Sequence, residues 1–180
     1  DRVLVVEASE RNKSLDKCKE IVEILVEKQI RRNQRLVAIG GGVIQDIVAF
    51  TASIYFRGID WSFFPTTLLA QADSCIGGKT SINLGSIKNI IGNFYPPADI
   101  YLDVGFLNTL SEDDIKSGIG EILHFYFYSN SHFMVEMMKS YNDLIANPQR
   151  MLKYIRESLL IKQTVIEVDE FDRGERNKFN

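Results

Sequence analysis

The sequence predicts an α/β fold, a parallel sheet with helices over residues 1–108 followed by the start of an all-α part over 109–180. Three observations carry this. Apolar runs of strand length recur at 3–6, 36–39, 61–64 and 100–102; a helical spacing of Leu15, Cys18, Val22, Leu25 and Val26 separates the first two; and after Ser111 the pattern turns helical throughout.

In order, residues 3–6 read as a short buried strand, 14–30 as a helix and 36–39 as a second strand. Such a β-α-β unit favours parallel pairing with a right-handed crossover. Gly40-Gly41-Gly42 then opens a segment, 44–55, that is apolar nearly all round, as an enclosed helix would be. The strand at 61–64 ends at Pro65-Thr66-Thr67. Ser111-Glu112-Asp113-Asp114 reads as an N-cap with an acidic first turn, which suits free N–H groups and the helix dipole. Helices follow over 115–128, 133–144 and 148–168. The basic run 29–35 reads as a solvated turn without function.

At 180 residues, 45% hydrophobic and 25% charged, the chain is long enough for one sizeable core. No apolar run approaches the roughly 18 residues of a membrane span, and residues 1–6 lack signal-peptide features. A cytoplasmic protein without a membrane partner is expected. A net charge of −3 argues against a nucleic-acid binder. Cys18 and Cys75 read as reduced thiols without metal-ligand spacing. The chain begins directly on a predicted strand and stops in the charged stretch 169–180, so it reads as a piece of a longer protein.

Three glycines between a strand and a helix allow close approach of a pyrophosphate to free N–H groups, although a plain tight turn explains them as well. Between Arg57 and Asn89 polar residues crowd into apolar surroundings: Thr66-Thr67, Gln71, Asp73-Ser74, Gly77-Gly78-Lys79-Thr80, Asn83 and Lys88-Asn89. A phosphate cradle and a polar surface loop are both open readings.

Taken together, Gly40-Gly41-Gly42-Val43-Ile44-Gln45-Asp46, Phe56-Arg57-Gly58, Pro65-Thr66-Thr67-Leu68-Leu69-Ala70-Gln71, Asp73-Ser74-Cys75-Ile76-Gly77-Gly78-Lys79-Thr80 and Lys88-Asn89 closely resemble the 3-dehydroquinate synthase family. That family belongs to the sugar-phosphate cyclases and shares a fold with iron-dependent alcohol and glycerol dehydrogenases. The resemblance covers essentially the whole chain and implies a Rossmann-like sheet domain followed by a metal- and substrate-binding helical domain. It also implies NAD, a divalent metal (zinc, with cobalt as an alternative), a small sugar-phosphate substrate and a homodimer. The implied activity is a phosphate-eliminating lyase of the shikimate pathway, converting a seven-carbon keto-acid phosphate to 3-dehydroquinate.

Carried over by motif, Gly41, Gly42, Val43 and Asp46 would hold NAD, with Thr66 and Thr67 on its phosphate side. Glu10 and Lys13 resemble the family's acidic-then-Lys segment, and Phe106 and Thr109 a further cofactor-contacting stretch. Arg57, Asp73, Lys79, Lys88 and Asn89 match positions facing substrate or cofactor, where cations suit a phosphate and a carboxylate. Glu121, in a small-residue helical stretch, matches a metal ligand; a solvent-facing glutamate is the plainer alternative. Lys162, Arg176 and Asn180 match further substrate positions. The family's two metal-binding histidines fall after the last residue here, and neither His124 nor His132 stands at their positions.

The chain departs from the family pattern at Gln45 and Ser81, each replacing a glycine, at 84–86, and at His124, where the family commonly carries lysine. Neutral imidazole donates one N–H, so His124 points to a changed substrate carboxylate site. A sugar-phosphate cyclase of a cyclitol or surface-sugar pathway is therefore the alternative reading. A non-catalytic nucleotide-binding relative is the third, and a simple dehydrogenase of the same fold is disfavoured by the match from Lys79 to Asn89.

Overall fold

A computed structural model describes residues 2–129, 131–174 and 176. The chain divides into two units, Asp1–Pro65 with Gly78–Tyr101, and Thr66–Gly77 with Leu102–Asn180. The segment 66–77 thus packs with the later residues, although it follows the second strand directly.

In the first unit, α1 (Leu15–Glu27) starts at Ser14, whose Oγ accepts the Lys17 N–H at 3.2 Å, and it buries Cys18, Ile21 and Leu25. β1 (Leu36–Gly40), α2 (Gly42–Ile54) and β2 (Trp61–Pro65) form the β-α-β crossover, with Leu36 opposite Trp61 and Gly40 opposite Pro65 in parallel register. β3 (Ile82–Leu84) and β4 (Ile87–Ile91) make an antiparallel hairpin that turns at Gly85, where φ is +59°. β5 (Asp99–Ile100) completes a three-stranded parallel sheet in the order β1-β2-β5. Arg35, from the basic run, pairs with Asp99 and donates to Ser62 Oγ at 3.2 Å, so one residue of that run ties strand ends together.

The strand expected at 3–6 does not form. Val3 and Val5 are 77% and 89% exposed and no ladder includes them. An apolar run becomes a strand only when a neighbour takes its N–H and C=O groups, and β1 is paired along β2 alone. The β-α-β unit is therefore the next one along the chain. The β3–β4 hairpin was not expected, because Asn83, Lys88 and Asn89 interrupt its alternation.

In the second unit, a single π-helical turn, Ala70–Ser74, and a 3₁₀ segment, Val104–Thr109, precede α3 (Glu112–Ser129), α4 (Phe133–Lys139), α5 (Tyr141–Ala146) and α6 (Leu152–Val168). Ser111 caps α3 as expected, its Oγ accepting the Asp114 N–H at 3.2 Å. The helix expected over 133–144 is broken at Ser140, whose N–H is shared between the carbonyls of Glu136 and Met137. Leu68, Leu107, Ile119, Ile122, Tyr126 and Tyr154 centre the core. Its packing is close: a Cβ on Gly118 would lie 2.5 Å from Leu68 Cγ. Among the described residues no helix is long and apolar enough to cross a membrane.

Candidate functional site

The predicted residues gather into one polar network in the first unit and a second cluster in the other unit. The first is centred on Lys13, buried in the loop before α1. Its ammonium lies 2.6 Å from Asp46 Oδ2, with side chains only 7% and 15% exposed, and donates to Asn89 Oδ1 at 2.6 Å. Asp46 stands near the N-terminus of α2, and its other oxygen accepts the Ser81 N–H at 3.0 Å. Asn83, on β3, donates to Glu10 Oε2 at 2.9 Å, while its own Oδ1 accepts the Asn89 N–H at 2.9 Å. Asn89 adopts φ +56°, a conformation asparagine tolerates better than most residues. Burial pushes the Asp46 carboxyl up, and the Lys13 ammonium and both Ser81 donors pull it back. Glu10, Lys13, Asp46 and Asn89, picked from three distant stretches of sequence, are thereby brought together.

The glycine turn stands beside this network. Gly41 is the N-cap residue of α2, so the N–H groups of the first turn, including Gly42 and Val43, have no intrahelical acceptor. A Cβ on Gly40 would meet Ile44 at 2.7 Å, so close approach rather than a left-handed φ requires this glycine. Gln45 is buried at 4% exposure, and its larger side chain is taken inside.

Other predicted positions are less engaged. Arg57 and Lys88 are exposed and make no ion pair among the described residues; Arg57 also sits at φ +63°. Lys79 is half-buried and bridges Phe94 through its backbone.

In the second unit, Thr67 Oγ1 accepts the Ala70 N–H at 3.2 Å, a capping role, while Thr66 is half-buried nearby. Phe106 is half-buried, and Thr109 donates back to the Phe106 carbonyl at 3.0 Å. The π-helical turn shifts the backbone ladder, and α6 takes up two of the turn's carbonyls. Ser158 Oγ donates to Ala72 O at 2.9 Å and Lys162 Nζ to Asp73 O at 2.8 Å. Lys162 also pairs with Asp73 Oδ1 at 2.7 Å. Ser158 is a contributor that sequence reasoning missed; only its i, i+4 spacing from Lys162 could have suggested it.

Glu121, on α3, makes no hydrogen bond among the described residues, and its ion-pair contact is His124 Nδ1 at 3.9 Å. Burial raises its carboxyl pKa and the Asp73 carboxylate adds to the rise, while His124 and Lys162 oppose it. His124 also meets the edge of the Tyr128 ring, centroids 4.9 Å apart. Of the aromatic run, Phe125 and Tyr126 are core and Phe127 and Tyr128 are exposed. The Arg176 guanidinium donates to the carbonyls of Glu170 and Gly77 at 2.8 and 3.2 Å. Asn180 lies outside the described residues. Burial pushes the Cys75 thiol up to about 12, so this cysteine is inert.

Among the described residues no group of three or more His, Cys, Asp or Glu side chains could hold a metal ion. Glu121 and His124 supply at most two donors, fewer than the three protein ligands usual for catalytic zinc. The glycine turn suits a dinucleotide in one respect: the N–H groups of the first turn of α2 have no intrahelical acceptor.

A parallel sheet whose first β-α turn is glycine-built defines a Rossmann-like α/β unit. Residues 3–117 match the profile of the family described as 3-dehydroquinate synthase N-terminal, and the chain belongs to that family. It is 40% identical over 172 residues to the 3-dehydroquinate synthase of Clostridium tetani, covering 95% of this chain and 46% of the relative. With that of Dictyoglomus turgidum it is 40% identical over 181 residues, covering 100% and 51%. The chain thus spans about half the length of the curated relatives it matches. Among solved structures, 2-epi-5-epi-valiolone synthase from Streptomyces hygroscopicus, with NAD+ and Zn2+ bound, superposes with a TM-score of 0.88 at 28% identity over 94% of this chain and 48% of that one. A 2-deoxy-scyllo-inosose synthase complexed with carbaglucose-6-phosphate, NAD+ and Co2+ gives 0.89 at 26% identity over 99% and 49%.

Proposed function

We propose that this chain provides the dinucleotide site and part of the substrate site of an enzyme that converts a seven-carbon keto-acid phosphate to 3-dehydroquinate with loss of phosphate. The observation that carries the reading is the Lys13–Asp46–Asn89 network beside the glycine turn. A buried ion pair is a poor way to gain stability alone, and its presence here suits a site that must present charge to a ligand. Gly41, Gly42 and Val43 would offer backbone N–H groups to the pyrophosphate, with Asp46, Lys13 and Glu10 beside them. Thr66, Thr67, Phe106 and Thr109 are assigned to the cofactor by motif.

NAD, which the two solved cyclases contain, would supply reversible hydride transfer at a substrate hydroxyl when bound here. Lys162 would hold Asp73 through its carboxylate and carbonyl; Arg57, Lys79, Lys88 and Arg176 would offer cationic groups to phosphate and carboxylate. Glu121 is assigned by motif as a ligand of the divalent metal, zinc or cobalt, and the described residues supply too few donors to complete its site. Asn180 is assigned to the substrate by motif alone. A cytoplasmic location is supported by two buried, unpaired cysteines, and a homodimer by the exposed Phe127 and Tyr128.

The test is phosphate release and product identity when the full natural protein, with NAD and zinc, meets the seven-carbon keto-acid phosphate. Dehydroquinate as product supports the reading; no turnover of that substrate refutes it. The alternative, a cyclase for a carboxylate-free sugar phosphate, is favoured by His124, and turnover of such a substrate alone establishes it.

A further inference from the structure

The Ser81 hydroxyl lies between the two acceptors that also hold Lys13. Its Oγ is 2.8 Å from Asp46 Oδ2 and 3.1 Å from Asn89 Oδ1, while its backbone N–H reaches Asp46 Oδ1 at 3.0 Å. A serine hydroxyl carries one proton. Asn89 Oδ1 already receives the Lys13 ammonium at 2.6 Å, and an ionised carboxylate is the stronger acceptor, so that proton goes to Asp46. One residue thus donates to both carboxylate oxygens. Lys13 pairs with Oδ2 from the end of a flexible four-carbon stem, so the Ser81 hydroxyl is the stiffer donor to that oxygen. A glycine at 81 would supply the N–H but leave Oδ2 to Lys13.

We propose that Ser81 is a positioning residue of the dinucleotide site, fixing the Asp46 carboxylate in its binding orientation by donating to both oxygens. This rests on the reading that Asp46 faces NAD. The fork joins β3's approach to α2, so Ser81 acts through Asp46 and does not itself touch the ligand.

The test is equilibrium binding of NAD, by titration calorimetry on the full natural protein without substrate. Ser81→Ala keeps the N–H and loses the hydroxyl, and its Kd for NAD is expected to rise about fivefold, the worth of one hydrogen bond to an ordered acceptor. Ser81→Thr retains a hydroxyl and restores binding. In an Asp46→Ala background, Ser81→Ala has no further effect on Kd, because the group it orients is gone. Thermal unfolding of each variant separates this from loss of structure: the Kd change must appear without a matching fall in Tm. Unchanged binding by Ser81→Ala overturns the proposal, as does an undiminished effect without Asp46, or weakened binding that follows a lowered Tm. A wild-type protein that binds no NAD overturns the proposed function and this proposal together, whereas wild-type binding matched by Ser81→Ala overturns this proposal alone.

Discussion

The Lys13 network and the Glu121 cluster are both collections of charge set in apolar surroundings, yet they are held in opposite ways. In the first, every charge has bonded partners: Lys13 meets Asp46 and Asn89, Asp46 also meets Ser81, and Glu10 meets Asn83. The second has a buried pair of its own, Lys162 with Asp73 at 2.7 Å, but Glu121 itself is positioned by close packing. Gly118 lets α3 approach Leu68, α6 grips the π-helical turn, and Glu121 is left with a single contact at 3.9 Å. A satisfied network can stabilise the fold before any ligand arrives. A half-buried carboxylate without a bonded cation costs free energy that a ligand can offset.

The largest test is to remove the cation of the first region. Lys13→Met leaves Asp46 buried and unpaired, and urea denaturation is expected to show a loss of about 3 kcal/mol. A loss near zero would mean that the network contributes nothing to the fold. Gly118→Ala addresses the second region: with Leu68 Cβ and Cγ at 2.6 and 2.5 Å, the helix must shift, at a cost of about 2 kcal/mol. Gly120→Ala, two residues along α3 with open space around it, is the control and should stabilise by up to about 1 kcal/mol.

Glu121→Gln separates the regions by sign. Removing a carboxylate whose charged form is disfavoured by burial should raise the stability of metal-free protein at neutral pH, whereas Lys13→Met lowers it. Destabilisation by Glu121→Gln would show that the two regions are built alike. The smallest effect is expected at the exposed Glu136–Lys153 pair on the surface of the second unit. Its hydrogen bond from Lys153 holds the Glu136 carboxyl below its ordinary value. That contribution is fully present above the unfolded value of 4.5 and is lost as pH falls through the lowered folded value. The stability of Glu136→Gln should therefore fall slightly below wild type near neutrality and converge with it in acid; a gap that persists in acid would assign the effect to something other than charge.

The fold was legible where period and burial agree. The helices α1, α2, α3 and α6 and the strands β1 and β2 follow apolar spacing, and Ser111 announced its own cap. Residues 3–6 show the limit: their apolar character is that of a strand, but strand formation depends on a partner elsewhere in the chain. The β3–β4 hairpin shows the converse, since its side chains serve the Lys13 network rather than a core and so lack alternation. At the candidate site, resemblance by motif selected Lys13, Asp46, Asn89, Asp73 and Lys162, and the fold brings each into a specific contact. Ser158 escaped, and Ser81 stood out only as a departure from the family pattern, because a lone hydroxyl carries no pattern; only the position of the acceptor gives it meaning.

The grip of α6 on the π-helical turn has a mechanical consequence. Ser158 and Lys162 stand one helical turn apart and engage the consecutive carbonyls of Ala72 and Asp73, like two teeth in adjacent notches. Sliding α6 along its axis or rolling it by one residue disengages both teeth at once, so small displacements meet a stiff resistance. At the far end of the same helix, Asp169 closes α6 and accepts the N–H groups of Arg173, Gly174 and Arg176. Arg176 also reaches back to the Gly77 carbonyl, just beyond the turn, at 3.2 Å, so α6 and Arg176 hold the stretch from Ala72 to Gly77 at three carbonyls.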